Sequence, residues 1–192
     1  AVVTVDSTDP DQEVIDKNQD GGSDFTKEVS GSDNKVVEIG EEFEFTLTFN
    51  ATNYDGETKI EQYTITDTLP AAMDLVYTAG DAAYGVEIKV GTTVVSDATV
   101  AFTNNTLAIN IPWVDSEGDP KYSTPSAVTV TYTVKLNDTA AIQEDIQNDA
   151  TLTWTGENTG TSTEETVQTY ALAIMKVDGE GNPLANATFA VT

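Results

Sequence analysis

Three polar side chains stand in strand patterns where apolar ones belong. Successive residues of a β-strand point to opposite faces, so alternation assigns each side chain to a side. In FTKEV, Lys27 falls between Phe25 and Val29 on the apolar face, with Thr26 and Glu28 opposite. In YTITDTL, Asp67 follows Tyr63 and Ile65 on the apolar face, while Thr64, Thr66 and Thr68 take the other. In NDATLTW, Asn148 begins the face that Ala150, Leu152 and Trp154 continue, with Asp149, Thr151 and Thr153 opposite. One amine, one carboxyl and one carboxamide therefore share the core side. Lys89, Lys135, Asn50 and Asn110 alternate out of phase with their apolar neighbours and are expected outside.

Buried charges and amides are costly unless paired. Periodicity alone leaves two readings open. In one, Lys27 and Asp67 form a buried ion pair, or the polar residues sit at strand ends that still reach water. In the other, the three groups react. Desolvation disfavours charged forms, lowering a lysine pKa and raising that of a carboxylic acid. With the proton on Asp67, Lys27 is a neutral amine and a competent nucleophile. Protonated Asp67 can then polarise the Asn148 side-chain carbonyl. Attack by Lys27 on that carbon, with loss of ammonia, leaves an amide between the two side chains, Asp67 acting as acid and base. Such a reaction happens once per molecule and is not turnover.

The elements that must position these groups read as strands. Val, Ile, Leu, Tyr, Phe and Thr recur in alternating runs, which suits a pleated, half-buried surface. EFEFTLTF, YTITDTL, VEIKV, TVVSDATVAF, LAINIPW and AVTVTYTVKL follow the first run, with turn-formers such as GSDN, NYDG, Gly91 and Asn104-Asn105 between them. A turn or short helical segment, NDTAAIQEDI, precedes NDATLTWT, and TVQTYALAIM closes the set. About nine short strands with frequent turns predict an all-β sandwich. Residues 1–24 read as a linker or the end of a preceding region, and the sandwich is placed at 25–170. The segment 171–192 reads as a strand, a DGEGNP turn and a second strand, the opening of another domain.

Composition narrows the function classes. The 192 residues include 33 acidic and 8 basic, for a net charge of −25, and all the basic ones are lysine. Phosphate recognition needs clustered Lys or Arg, so nucleic acid is not expected as a partner, nor an anionic membrane surface. Without His or Cys the chain can form no disulfide, no thiolate metal site and no His-based catalytic triad. No run is long and apolar enough to span a bilayer as a helix. The start carries no charged-then-apolar secretory signal, so the chain is expected to be processed or a piece of a longer one.

At this point the residues resemble a known family. The Lys-bearing FTKEVS, then VEIGEEFEFTLTF, YTITDTLP, AVTVTYTVKLN and NDATLTW, are similar to the isopeptide-forming, CnaA-like domains of Gram-positive sortase-assembled pilin backbones and related adhesins. The resemblance covers about residues 25–170, its most specific pieces being TITDTLP and NDATLTW in that order. It implies an immunoglobulin-like sandwich in which a first-strand lysine bonds to a late asparagine, assisted by the aspartate of the D-x-L-P segment. Those roles fall on Lys27, Asn148 and Asp67. The tail KVDGEGNPLANATFAV resembles the first hairpin of a CnaB-like domain, which would make Lys176 the crosslinking lysine of a following domain. A sorting signal and a pilin-motif lysine in its usual setting are missing from the sequence. The resemblance therefore implies a structural stalk domain of an extracellular, cell-wall-anchored pilus, with neighbouring pilin subunits or domains as partners and no cofactor. The alternative is an adhesin domain holding a host or glycan ligand.

Weaker signals remain. Asp16, Asn18, Asp20 and Asp24 are spaced like calcium ligands, but Lys27 takes the position of the bidentate Glu, so an acidic linker is the preferred reading and no metal site is expected. Trp113 and Trp154 could mark a sugar-binding surface, though Trp154 falls on the core face and Trp113 is more simply a strand-end packing residue. An enzyme is the poorest reading, because no carboxylate pair sits in an evident cleft motif.

Overall fold

Alternation carries most of the expected strands into place. In the computed structural model, residues 21–30, 36–142, 145–169, 177–180 and 182 are described. The strands in chain order are β1 (Gly22–Ser30), β2 (Glu42–Ala51), β3 (Tyr54–Asp55), β4 (Thr58–Lys59) and β5 (Gln62–Thr68). Then come β6 (Met73–Leu75), β7 (Glu87–Val90), β8 (Thr93–Val94), β9 (Thr99–Thr103) and β10 (Thr106–Pro112). The last three are β11 (Ser126–Leu136), β12 (Asp145–Trp154) and β13 (Glu157–Gln168). No helix occurs among the described residues.

Two antiparallel sheets form the sandwich. The first is ordered β1-β2-β11-β7-β8, with β6 also on β11, and the second β13-β12-β5-β10-β9. β3 and β4 make a separate small hairpin. Inner faces follow the period-2 pattern: Phe43, Phe45, Leu47 and Phe49 on β2, Val128, Val130 and Val134 on β11, and Leu107, Ile109 and Ile111 on β10 are all buried. Each such side chain contributes about 1.5–3 kcal/mol of hydrophobic stabilisation. The Asn104-Asn105 turn has φ of 53° and 59°, the two positive values that a tight hairpin between β9 and β10 requires.

The differences from the sequence reading have physical causes. TVVSDATVAF is not one strand. It breaks after Val94, and the chain leaves the first sheet as β8 to enter the second as β9. Both pieces lie at sheet edges, where outward and inward positions are poorly distinguished by burial. The NDTAAIQEDI segment holds a turn, with Ala140 N–H donating to Asn137 C=O at 3.1 Å, and β12 begins at Asp145. β1 starts at Gly22, ahead of Phe25, and carries an irregularity between Ser23 and Thr26. β13 is longer than TVQTYALAIM suggested at its front, because its first residues are Thr and Glu on an edge and carry no apolar alternation.

Lys89, Lys135, Asn50 and Asn110 do face outward, but each is half-buried, not fully exposed. Within the expected DGEGNP turn, the Asp178 carboxylate accepts from the N–H groups of Glu180 and Asn182, both at 2.9 Å. Lys176 lies outside the described residues, as do Asp16, Asn18 and Asp20.

Candidate functional site

The sandwich brings Lys27, Asp67 and Asn148 together from both sheets. Lys27 sits on β1 opposite Leu47, so it belongs to the first sheet. Asp67 lies on β5 in the second sheet, where its partners are Leu107 on β10 and Ala150 on β12. Asn148 is two positions along β12 from Ala150, on the same face. That makes it a diagonal neighbour of Asp67, within reach of side-chain contact. Exposure is 3% for Lys27 and 0% for both Asp67 and Asn148, so none is a frayed strand end reaching water.

Lys27 Nζ donates to Asp67 Oδ2 at 2.7 Å. The Tyr132 hydroxyl, from β11 in the first sheet, donates to the same oxygen and accepts from Asn148 Nδ2 at 3.1 Å. Four side chains thus form one hydrogen-bonded chain between the sheets, running from Lys27 through Asp67 and Tyr132 to Asn148. Rings wall it in, with Nζ 4.7 Å from the centroid of Phe45 and 5.9 Å from that of Tyr132. Glu165, which pairs with Asn148 across β12 and β13, adds a negative charge that acts on Lys27. A cleft lined by Thr26, Lys27, Glu28, Val29, Thr163 and Glu165 runs along β1 and β13 outside this corner.

Burial sets the protonation chemistry. It holds the Lys27 amine below its ordinary pKa, with the charge of Asp67 offsetting part of that effect. It pushes the Asp67 carboxyl up, again opposed by the partner's charge. Both shifts favour the neutral pair, amine and carboxylic acid. Burial also raises Tyr132 well above its ordinary value, so its hydroxyl is a neutral donor. Asp67 Oδ1 and Asn148 Oδ1 are buried with no protein hydrogen-bond partner. Two acceptors cannot satisfy one another, but a protonated Asp67 can donate to a carbonyl oxygen, and an unpaired buried polar atom costs about 1–3 kcal/mol.

Tyr132 is the member that sequence reasoning missed. It alternates in phase with Val128, Val130 and Val134, so it looks like ordinary core. The available signal was chemical, since a buried tyrosine hydroxyl needs a partner.

Other candidates resolve differently. Trp113 is fully buried, and its indole N–H donates to Asn53 Oδ1 at 2.8 Å, so it packs at the end of β10 and offers no ring face to a sugar. Trp154 is half-buried and its indole N–H donates to Asp55 at 2.9 Å. Asp24 adopts φ of 55° and accepts from Asn50 Nδ2 at 2.9 Å within the β1–β2 pairing. Among the described residues, Asp115, Glu117 and Asp119 form one exposed acidic group. There the Asp115 carboxylate accepts from the N–H groups of Glu117 and Asp119, both at 2.9 Å, and so shapes its own loop.

This architecture recurs in solved structures. The group B streptococcus pilus 2b backbone protein matches at 27% identity and a TM-score of 0.61, covering 74% of this chain and 56% of that one. The fold is that of a Gram-positive pilin domain. The pilin-like sandwich recurs in the T6 backbone pilin of serotype M6 Streptococcus pyogenes, at 15% identity and a TM-score of 0.58 over 85% of this chain and 39% of that one. It recurs again in the major pilin SpaD from Corynebacterium diphtheriae, at 21% identity and a TM-score of 0.52 over 75% and 33%. The latter two likenesses concern fold alone. The chain spans between a third and somewhat over half the length of these pilins. No family model matches it, and neither does any curated protein. These neighbours are pilin backbone proteins or major pilins.

Proposed function

We propose that this pilin-like domain is a load-bearing unit of a Gram-positive surface pilus, closed by an amide bond between Lys27 and Asn148 that forms with the help of Asp67. The observation that carries this reading is the buried pair of Lys27 and Asp67, 2.7 Å apart, tied through Tyr132 to the Asn148 carboxamide. A pair kept only for packing has no need of a carboxamide in the same network. The neutral forms that burial favours supply a nucleophile and an acid at once.

Mechanical sense follows from topology. Lys27 is on the first strand of one sheet and Asn148 is on β12 of the other. A covalent tie there would carry tension between the sheets without relying on hydrogen bonds being sheared. It would also close a loop of about 120 residues, restricting the unfolded chain as a disulfide of that span does. On this reading the partners are neighbouring pilin subunits or domains, the location is the cell-wall surface, and residues 171–192 open a following domain with Lys176 as its crosslinking lysine.

Intact-mass measurement of the purified chain tests the bond. The expected mass is lower than the sequence value by one ammonia, and Asp67→Ala restores the full sequence mass. A wild-type chain of unmodified mass would rule the crosslink out.

A further inference from the structure

Asp67 lies close enough to Asn148 for the carboxamide to act on its carboxyl, yet the hydrogen bond at the nitrogen that must gain a proton is made by another group. Joining Lys27 to Asn148 requires Nδ2 of Asn148 to depart as ammonia, and an amine leaves a tetrahedral carbon only when protonated. Asp67 Oδ2 is placed to collect the proton from Lys27, at 2.7 Å. The group on Nδ2 is instead the Tyr132 hydroxyl, at 3.1 Å, which also donates to Asp67 Oδ2. Tyr132 therefore joins the atom that collects the proton to the atom that needs it.

Resting on the crosslink reading above, we infer that Tyr132 is a catalytic residue of bond formation, relaying a proton from Asp67 Oδ2 to the departing nitrogen of Asn148. The protons balance as follows. Neutral Lys27 attacks Cγ of Asn148, forming the new C–N bond, while the proton on Asp67 Oδ1 passes to the carbonyl oxygen. The amine, now positively charged, gives one proton to Oδ2. As Cγ becomes tetrahedral, Nδ2 loses amide resonance and gains a basic lone pair, so it changes from donor toward Tyr132 to acceptor. Tyr132 gives its proton to Nδ2 and takes the one on Oδ2. The C–Nδ2 bond breaks, ammonia leaves, and the carbonyl re-forms as its proton returns to Oδ1. Asp67 and Tyr132 end as they began, and the net change is one amide gained and one ammonia lost.

The same contact orients the carboxamide beforehand. With Nδ2 held by the hydroxyl, Asn148 Oδ1 is fixed on the other side, and among the described residues it is one of two buried side-chain polar atoms without a protein partner. The other is Asp67 Oδ1, the atom that would donate to it. In Tyr132→Phe the ring remains against Phe45, whose centroid lies 5.6 Å away, but orientation and relay are both lost.

The test follows crosslinking in time. Wild type, Tyr132→Phe and a chain with a fluorinated tyrosine at position 132 are made by cell-free synthesis, quenched in acid at intervals and weighed intact. Wild type should lose one ammonia soon after folding, and Tyr132→Phe should do so about 10²-fold more slowly or incompletely, the scale of a lost acid–base group. The fluorinated ring keeps the hydroxyl but makes it more acidic, so a relay predicts a changed rate. Tyr132→Phe reacting as fast as wild type overturns the inference. So does a slow Tyr132→Phe beside a fluorinated chain that matches wild type, since the hydroxyl would then only position Asn148. If Tyr132→Phe fails to fold by circular dichroism, the fluorinated chain decides alone. A wild-type chain that never loses ammonia defeats the crosslink reading itself, and the relay falls with it.

Discussion

Tyr63 and Tyr132 are buried in the same sandwich, one on each sheet, yet they meet different kinds of partner. The Tyr63 hydroxyl accepts from the Thr52 N–H at 2.9 Å and donates toward the carbonyl groups of Thr52 and Gly21. Its ring packs on Trp113 and Phe49, with centroids 5.0 and 5.2 Å away. Burial pushes its pKa up to about 12. Tyr132 is equally buried, but its partners are a carboxyl and a carboxamide. Backbone partners make a tyrosine a tie between loop and sheet. A carboxyl and a carboxamide as partners place it in the network to which we assign the proposed crosslink. Burial is common to both; the partner decides the role.

The sharpest way to break that contrast is to dismantle the end where the crosslink is proposed. Asp67→Ala is expected to abolish the crosslink, removing about 4–5 kcal/mol of loop-closure stabilisation for a loop of this span. It also leaves the Lys27 amine buried without its partner, and an unpaired buried polar group costs about 1–3 kcal/mol more. Lys27→Met should lose the crosslink as well, but leaves Asp67 free to hold its proton and Tyr132 free to donate to it. Thermal unfolding should therefore rank wild type above Lys27→Met, and that above Asp67→Ala. At about 2–4 °C per kcal/mol for a domain of this size, the first gap is roughly 10–20 °C. Equal midpoints for wild type and Lys27→Met would show that no covalent tie contributes.

How much of this was legible beforehand depends on whether a residue broke a pattern. Lys27, Asp67 and Asn148 each interrupt an apolar face, so alternation exposed all three and placed them on one side. Tyr132 broke nothing, because an aromatic ring among valines satisfies the pattern, and only its hydroxyl, bonded to Asp67 and Asn148, sets it apart. The same logic applies to the fold. β2, β5, β10 and β11 announce themselves by strict alternation, whereas β13 hides its first half in Thr and Glu at an edge. β6 is only Met73–Leu75 and follows the Pro70 turn too closely to show a period. β8 and β9 merge in sequence because switching sheets costs only a short bend at Ser96-Asp97, and no Gly or Pro marks it.

The structural tyrosine gives a smaller and cleaner effect. Tyr63→Phe keeps the ring but removes the hydroxyl's hydrogen bonds with the Thr52 N–H and carbonyl, at a cost of about 1–3 kcal/mol. The intact mass should still show one ammonia lost. Destabilisation with the crosslink intact is the reverse of what Tyr132→Phe should show in its mass kinetics. A failure to crosslink in Tyr63→Phe would mean that the two ends of the core are not separable.

The smallest effect concerns two carboxyl groups with opposite shifts. Burial raises Asp67, whereas backbone hydrogen bonds from Asp119 and then Glu117 hold the exposed Asp115 carboxyl below its ordinary value. A raised carboxyl favours folding below its unfolded pKa, and that advantage is lost as pH climbs through the folded one. A lowered carboxyl does the opposite: its contribution is present above the unfolded pKa and is lost as pH falls through the folded value. Asp115→Asn keeps a carbonyl acceptor for the two N–H groups and removes only the charge. Its thermal midpoint should lie slightly below wild type at neutral pH, and the gap should close on acidification, when Asp115 is itself neutral. Asp115→Ala removes the acceptor too, so part of its deficit should persist in acid. If the Asn gap instead widened as pH fell, Asp115 would be a strained carboxyl like Asp67, and the distinction between backbone and side-chain partners would fail at the loop as well as in the core.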